Sequence, residues 1–247
     1  GTGSADVRGL KWKVLPAMAA EGVEAAQHLA EGPYGKVQSY SGDAALEEHF
    51  KRLVHPRLVV LVTHGFFLPD QPADRAELFD DDPTTRSAFA QGKGLARLRA
   101  QENPLYRSGV VLAGANTLDD PAPDGVSVED GWLTAEEISQ LDLRGTDLVV
   151  LSACNTGRGA VATGDAVAGL RSAFLFAGTQ TLIGSLYEVP DRETLQLMQS
   201  FYAGLRQRKG KLPSLNAARL KLIDRLRAEG GAAHPFFWAS FVLVGQP

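Results

Sequence analysis

Two apolar runs constrain the fold of this chain more than any other feature of the sequence. Residues 58–62 and 148–151 consist of leucine and valine alone, so neither run contains a polar side chain. Short runs of this kind are typical of strands that are buried on both faces of a parallel sheet. We therefore predict two buried parallel strands within an α/β fold.

Both runs lead into residues with reactive side chains. The first run is followed by His64 and Gly65, and the second by Cys154, which is the only cysteine of the chain. Ligands and reacting groups collect at the carboxyl ends of parallel strands. Nucleophilic cysteine chemistry needs a thiolate, a nearby imidazole and backbone donors for the oxyanion. The sequence predicts a catalytic pair of His64 and Cys154, with the N–H groups of Gly65 and Cys154 as oxyanion donors.

Each of these residues also has a structural interpretation. A free cysteine is often buried as a small hydrophobic residue, and a lone histidine is often a hydrogen-bonded part of the framework. The pairing of the two strand ends favours the catalytic interpretation.

Helix and strand signals alternate along the chain, as a parallel sheet requires. Residues 1–4 resemble a remnant of tag removal, and residues 5–247 are predicted to form one domain. The polar segment 69–107 is predicted to be a loop insertion beside His64. Local patterns also predict strands over residues 12–15 and 36–40.

Charge and composition narrow the possible partners. The chain has 25 basic and 29 acidic residues, a net charge of −4, without a basic block, so nucleic-acid binding is not expected. No apolar run reaches the length of a membrane span, so no membrane association is expected. A single cysteine cannot form an internal disulfide, which favours a reducing, cytoplasmic location.

Neither a cofactor nor a metal ion is predicted from the motifs. The glycines at 159 and 164 have the spacing of a phosphate-binding loop, but Asp165 stands where the lysine is required. The remaining histidines are scattered and have no paired ligand spacing with cysteine.

Five ordered segments together resemble the CHAT domain, a family of caspase-like cysteine peptidases with separases and metacaspases as distant relatives. The segments are THGFF at 63–67, SGVVLAGAN at 108–116, DGWLTAEEI at 130–138, LSACNTGRG at 151–159 and HPFFWASFVLVG at 234–245. The resemblance implies a caspase-like sandwich, in which helices flank both faces of a central, mostly parallel sheet. It also implies that His64 and Cys154 hydrolyse peptide bonds through an acyl-enzyme intermediate.

Two positions depart from the patterns of the relatives. CHAT sequences commonly carry an acidic residue after the cysteine, where this chain has Asn155. Metacaspases place an aspartate two residues before the cysteine to hold a basic substrate side chain, and this chain has Ser152 there. We therefore do not carry over a strict arginine or lysine specificity. The candidates for the substrate pocket are Ser152, Asn155, Asp165, Glu188 and Asp191.

Each of the three acidic candidates is equally typical of a helix cap or of a solvated surface charge. The expected function is that of a cysteine endopeptidase acting on protein or peptide substrates, under the control of a partner, a signal or a regulatory domain outside this chain. The resemblance carries an association with bacterial defence signalling. The alternatives are a catalytically inactive CHAT-like interaction module and a thiol protein, either acyltransferase or redox sensor, that uses Cys154 without proteolysis.

Overall fold

One six-stranded sheet organises the part of the chain that the structure describes. The computed structural model describes residues 12–13, 16–67, 104–117, 129–155, 164–187 and 190–247. The strands are β1 (Leu58–Phe67), β2 (Ser108–Val111), β3 (Trp132–Thr134), β4 (Leu148–Asn155), β5 (Thr181–Ser185) and β6 (Phe241–Gly245). Their spatial order is β3-β2-β1-β4-β5-β6, so the two predicted apolar strands are neighbours at the centre.

The sheet is mixed but mostly parallel. Strand β4 pairs in parallel with both β1 and β5, whereas β2 and β6 run antiparallel to their neighbours. Strand β3 is antiparallel to β2 and therefore has the direction of β1. Four of the six strands thus share one direction, which confirms the predicted sheet.

Helices cover both faces of the sheet. They are α1 (Pro16–Ala30), α2 (Glu47–Lys51), α3 (Ala135–Ser139), α4 (Gly164–Phe176), α5 (Asp191–Arg206), α6 (Lys211–Ala228) and α7 (Pro235–Trp238). Side chains of α2, α3 and α4 form one core cluster with the sheet, and those of α1, α5 and α6 form a second. The predicted caspase-like α/β sandwich is confirmed.

Alternation along β4 explains why its sequence is apolar without interruption. Val149 and Leu151 point into the first core cluster, while Leu148 and Val150 point into the second. Because both faces are covered by helices, both sets of side chains are buried.

The local predictions have mixed outcomes. Residues 36–40 lie outside any strand, as do the two described residues of the segment 12–15, so the first prediction is wrong and the second fails at those two residues. Of the predicted insertion 69–107, only residues 104–107 are described, and they form a short 3₁₀ turn. Residues 1–4 lie outside the described residues, and the domain boundaries stay a prediction. None of the helices within the described residues is long and apolar enough to cross a membrane.

Candidate active site

The backbones of His64 and Cys154 lie side by side in the sheet. They are ninety residues apart in sequence, yet they are in register on the paired strands β1 and β4. Neighbouring strands are about 4.8 Å apart, so the two backbones lie within reach of one hydrogen-bonded side-chain pair. The parallel ladder ends one step later, where Gly65 is in register with Asn155. The two reactive residues therefore lie at the carboxyl end of this ladder.

The sequence places the end of the first apolar strand at His64 and Gly65, and this prediction is wrong. The strand continues to Phe67 because its other edge pairs with β2, where Phe66 lies opposite Gly109. Gly65 is consequently a buried residue with paired strands on both sides rather than a loop residue.

A backbone carbonyl fixes the orientation of the His64 imidazole. The Nε2 atom of His64 lies 2.7 Å from the carbonyl oxygen of Lys13. A carbonyl oxygen accepts but cannot donate, so Nε2 carries the hydrogen and donates it to Lys13. In the neutral ring this leaves Nδ1 as the basic nitrogen.

The residue before Lys13 is held in place by an amide side chain and two aromatic rings. Trp12 donates its backbone N–H to Oδ1 of Asn116 over 2.8 Å, and its carbonyl accepts from Nδ2 of the same amide over 3.0 Å. The Trp12 ring centroid lies 5.1 Å from that of His64 and 5.5 Å from that of Trp132. The segment that orients the imidazole is thus anchored from several directions.

A buried carboxylate lies on the helix-α1 side of β4, where it binds a residue of the strand that is close along the chain to Cys154. Glu21 of α1 is 2% exposed, and its Oε2 accepts from the hydroxyl of Ser152 over 2.8 Å. Its Oε1 accepts from the hydroxyl of Tyr202 over 3.3 Å. Ser152 is two residues before Cys154, a separation of about 7 Å along an extended strand. An acidic group therefore does lie beside this position, but it comes from another element of the fold.

Burial controls the ionisation of this carboxyl. Loss of water raises the pKa of Glu21 from 4.5 to about 7, although the hydrogen bonds from Ser152 and Tyr202 favour the charged form. Burial, and then the neighbouring Glu21, raise the pKa of Tyr202 well above its ordinary value. Glu21 thus disfavours ionisation of Tyr202, whereas the hydroxyl of Tyr202 favours the charged form of Glu21.

Comparison of the sequence with known families identifies the family of this chain. A family model described as the CHAT domain matches residues 2–246, almost the entire chain. The chain belongs to the CHAT domain family.

Two relatives share part of this CHAT domain. Tetratricopeptide repeat protein 28 of Homo sapiens is 33% identical over 135 residues, which make up 52% of this chain and 5% of that protein. The protein of the same name from Mus musculus is 36% identical over 115 residues, 46% of this chain and 4% of that protein. The chain therefore corresponds to only a small part of the length of these curated relatives.

The predicted pocket residues differ in burial and in position within the structure. Ser152 is 1% exposed, so its hydroxyl lies in the interior with Glu21. Asp191 is an exposed residue in the first turn of α5, where a negative charge stabilises the helix dipole. Glu188 lies outside the described residues, as do the side chains of Cys154, Asn155 and Asp165. Asp165 lies inside α4, which begins at Gly164.

Sequence reasoning missed the residues that surround His64 and Ser152: Trp12, Lys13, Glu21 and Asn116. A signal existed for Glu21, because it shares one stripe of α1 with Ala25 and Leu29, all of which are buried. A carboxylate on an otherwise apolar stripe indicates a special environment. No local pattern links Trp12 to Asn116, since the two are 104 residues apart.

A second group of carboxylates lies near the start of β3. Glu47, Glu129 and Glu137 place one oxygen each within 4.8 Å of one another, a spacing that suits a cation. The ammonium of Lys51 is itself that cation, because its Nζ lies 2.7, 2.8 and 3.0 Å from the three carboxylates. The cluster joins α2 to the elements around β3, where Glu47 also accepts from the backbone N–H of Gly131 over 2.9 Å.

Proposed function

We propose that this CHAT domain is a cysteine endopeptidase that hydrolyses peptide bonds in protein substrates with Cys154 as nucleophile and His64 as general acid and base. The observation that carries the proposal is the register of these two residues on β1 and β4. Membership of a caspase-related family supports it. The retention of both residue types favours catalysis over an inactive descendant.

The proposed reaction has two steps. The Cys154 thiolate attacks the carbonyl carbon of the scissile bond, and the carbon–nitrogen bond then breaks as the imidazolium of His64 gives its proton to the leaving amine. Water, deprotonated by His64, attacks the resulting thioester and releases the carboxylic acid and the free thiol. A free cysteine has a pKa of about 8.5, and an adjacent imidazolium lowers it, which raises the thiolate fraction at neutral pH.

The hydrogen bond to Lys13 supports different roles for the two nitrogens of the imidazole. Because Nε2 donates to the Lys13 carbonyl, we assign the proton transfer to Nδ1. We propose the backbone N–H groups of Gly65 and Cys154 as donors to the oxyanion. Loss of one such donor typically costs about a hundredfold or more in rate.

Substrate selection requires a specificity pocket beside the thiol. Asn155, Asp165, Glu188 and Asp191 remain candidates for the specificity pocket. Ser152 lies in the interior, and we propose that it acts on the specificity pocket through its hydrogen bond to Glu21.

We also propose that a regulatory domain or an activator controls the peptidase and that the protein is cytoplasmic. The relatives are named as tetratricopeptide repeat proteins and are far longer than the matched region, which supports control by a regulatory domain or an activator. The single cysteine supports a cytoplasmic, reducing location. A role in bacterial defence stays a prediction.

The decisive experiment compares the wild type with Cys154→Ala and His64→Ala on a peptide library, with new termini read by mass spectrometry. We expect a defined set of cleavages that both variants lose. A cleavage pattern that survives Cys154→Ala would contradict the proposal.

A peptide chloromethyl ketone probes the thiol without requiring turnover. We expect it to label Cys154 at pH 6 faster in the wild type than in His64→Ala. Equal labelling rates would count against the dyad. Fast labelling without cleavage of any peptide would favour the interaction module that binds partners in the same groove.

A further inference from the structure

The imidazole of His64 depends on a chain segment that is distant in sequence and has no regular secondary structure. Trp12 and Lys13 lie outside every helix and strand, yet the Lys13 carbonyl accepts the Nε2 hydrogen of His64. Only a defined path of this segment keeps that carbonyl 2.7 Å from the ring. Some other part of the molecule must therefore fix the path.

The side chain of Asn116 provides two hydrogen bonds to one residue of this segment. Its Oδ1 and Nδ2 atoms bind the N–H and the carbonyl of Trp12 at 2.8 and 3.0 Å. A pair of bonds to both polar groups of one residue fixes its position and its orientation, much as a neighbouring strand does. The carbonyl of the next residue, Lys13, is thereby directed toward His64.

The turn that carries Asn116 is itself anchored to the sheet. Asn116 belongs to the 3₁₀ turn Ala115–Thr117, and the indole N–H of Trp132 donates to the carbonyl of Ala115 over 3.2 Å. The Trp132 ring packs edge-on against Phe66 of β1, with ring centroids 5.0 Å apart. The turn is thus tied to the strand that carries His64.

We propose that Asn116 is a positioning residue for His64, acting through the backbone of Trp12 to place the Lys13 carbonyl on Nε2. The proposal deepens the proposed function, because it assigns the group that selects the tautomer and orientation of the general base. Asn116 reaches His64 through the backbone of Trp12 and Lys13. The Trp12 ring contributes by covering the imidazole at a centroid distance of 5.1 Å.

Asn116 is exposed, so its removal leaves no cavity in the core. The test compares the wild type, Asn116→Ala and Asn116→Asp, in which the carboxylate keeps an acceptor for the Trp12 N–H but loses the donor to the Trp12 carbonyl. Asn216→Ala is the matched control, since Asn216 is an exposed amide of α6 whose Oδ1 accepts from Arg219. Thermal unfolding verifies that each variant is folded.

Two readouts separate positioning from simple structural support. Nitrogen-15 NMR of the histidine ring, assigned with His64→Ala, reports which ring nitrogen carries the hydrogen. Iodoacetamide alkylation of Cys154 between pH 5 and pH 9 reports the thiolate fraction.

We expect the wild type to hold the hydrogen on Nε2 and the two Asn116 variants to show a mixture of tautomers. The alkylation rate at pH 6 should fall by about tenfold in both variants, the scale expected for loss of one or two hydrogen bonds. Asn216→Ala should match the wild type in both readouts.

Folded Asn116 variants with the wild-type tautomer and the wild-type alkylation profile would overturn the proposal. An alkylation profile that His64→Ala does not alter would instead contradict the dyad. The NMR signal would still decide the role of Asn116 in that case, so the two failures are distinguishable.

Discussion

Replacement of the buried carboxyl of Glu21 by an amide should change the pH dependence of stability. Burial raises the pKa of Glu21 in the folded protein from 4.5 to about 7. The folded state therefore holds the proton more tightly than the unfolded chain does. The sign follows directly: stability associated with this group is highest below pH 4.5 and falls as the pH rises toward about 7.

The magnitude comes from the distance between the two pKa values. Each pH unit is worth about 1.4 kcal/mol, so the interval from 4.5 to about 7 corresponds to a loss of about 3 kcal/mol at high pH. Glu21→Gln removes this loss because the amide never ionises. The hydroxyls of Ser152 and Tyr202 can turn to donate to its oxygen or accept from its nitrogen.

Urea unfolding followed by circular dichroism at pH 5 and pH 8 measures the effect. We expect the free energy of unfolding of Glu21→Gln, relative to the wild type, to increase by about 2–3 kcal/mol between the two pH values. Glu24→Gln is the matched control, because Glu24 lies on the same helix and its side chain is 36% exposed. A difference between Glu21→Gln and the wild type that is the same at both pH values would refute the reasoning.

Three further substitutions test the fold. Lys51→Met should lower the free energy of unfolding by about 3 kcal/mol in urea, because Glu47, which is 1% exposed, loses its cation; no loss would contradict the ionic cluster. Thr134→Ala should cost about 1 kcal/mol in thermal denaturation, since it removes the capping box of α3; an unchanged melting temperature would count against that box. Gly109→Ala should cost about 2–3 kcal/mol in urea, because the new methyl group would overlap the carbonyl oxygen of Leu133; wild-type stability would show that β2 and β3 can separate.

The sequence predicts those parts of the fold in which one local pattern has one structural solution. The uninterrupted leucine and valine of β4 require two covered faces, and the structure provides helices on both. The spacing of Thr134 and Glu137 is that of a capping box, and the structure contains both of its hydrogen bonds because both are local. The predicted strand over residues 36–40 fails because, within the described part of the chain, no strand pairs with it, and the Tyr40 ring instead stacks on that of His49 with centroids 4.4 Å apart.

The surroundings of the site depend on contacts that no local pattern encodes. Asn116 and Trp12 meet only because the 3₁₀ turn after β2 and the segment before α1 are both packed beside β1. Glu21 reaches Ser152 across 131 residues. The end of β1 also depends on tertiary pairing, since β2 extends the strand beyond Gly65. Sequence identifies the reactive residue types, whereas tertiary packing determines what surrounds them.

The proposed dyad requires the side chains at positions 64 and 154 to face one another, and a disulfide between these positions tests this requirement most directly. Because Cys154 is the only cysteine, His64→Cys creates a chain with two thiols and one possible internal bond. Residues in register on paired strands have Cα atoms close enough for a disulfide. Thr63→Cys is the control, since residue 63 is in register with Ala153 and alternation places it on the opposite face from residue 64.

Mass spectrometry after mild oxidation of the folded protein gives the answer. We predict that His64→Cys stays monomeric, has no free thiol and is lighter by the mass of two hydrogen atoms. Thr63→Cys should keep both thiols free. A folded His64→Cys variant that retains two free thiols would contradict the proposed dyad.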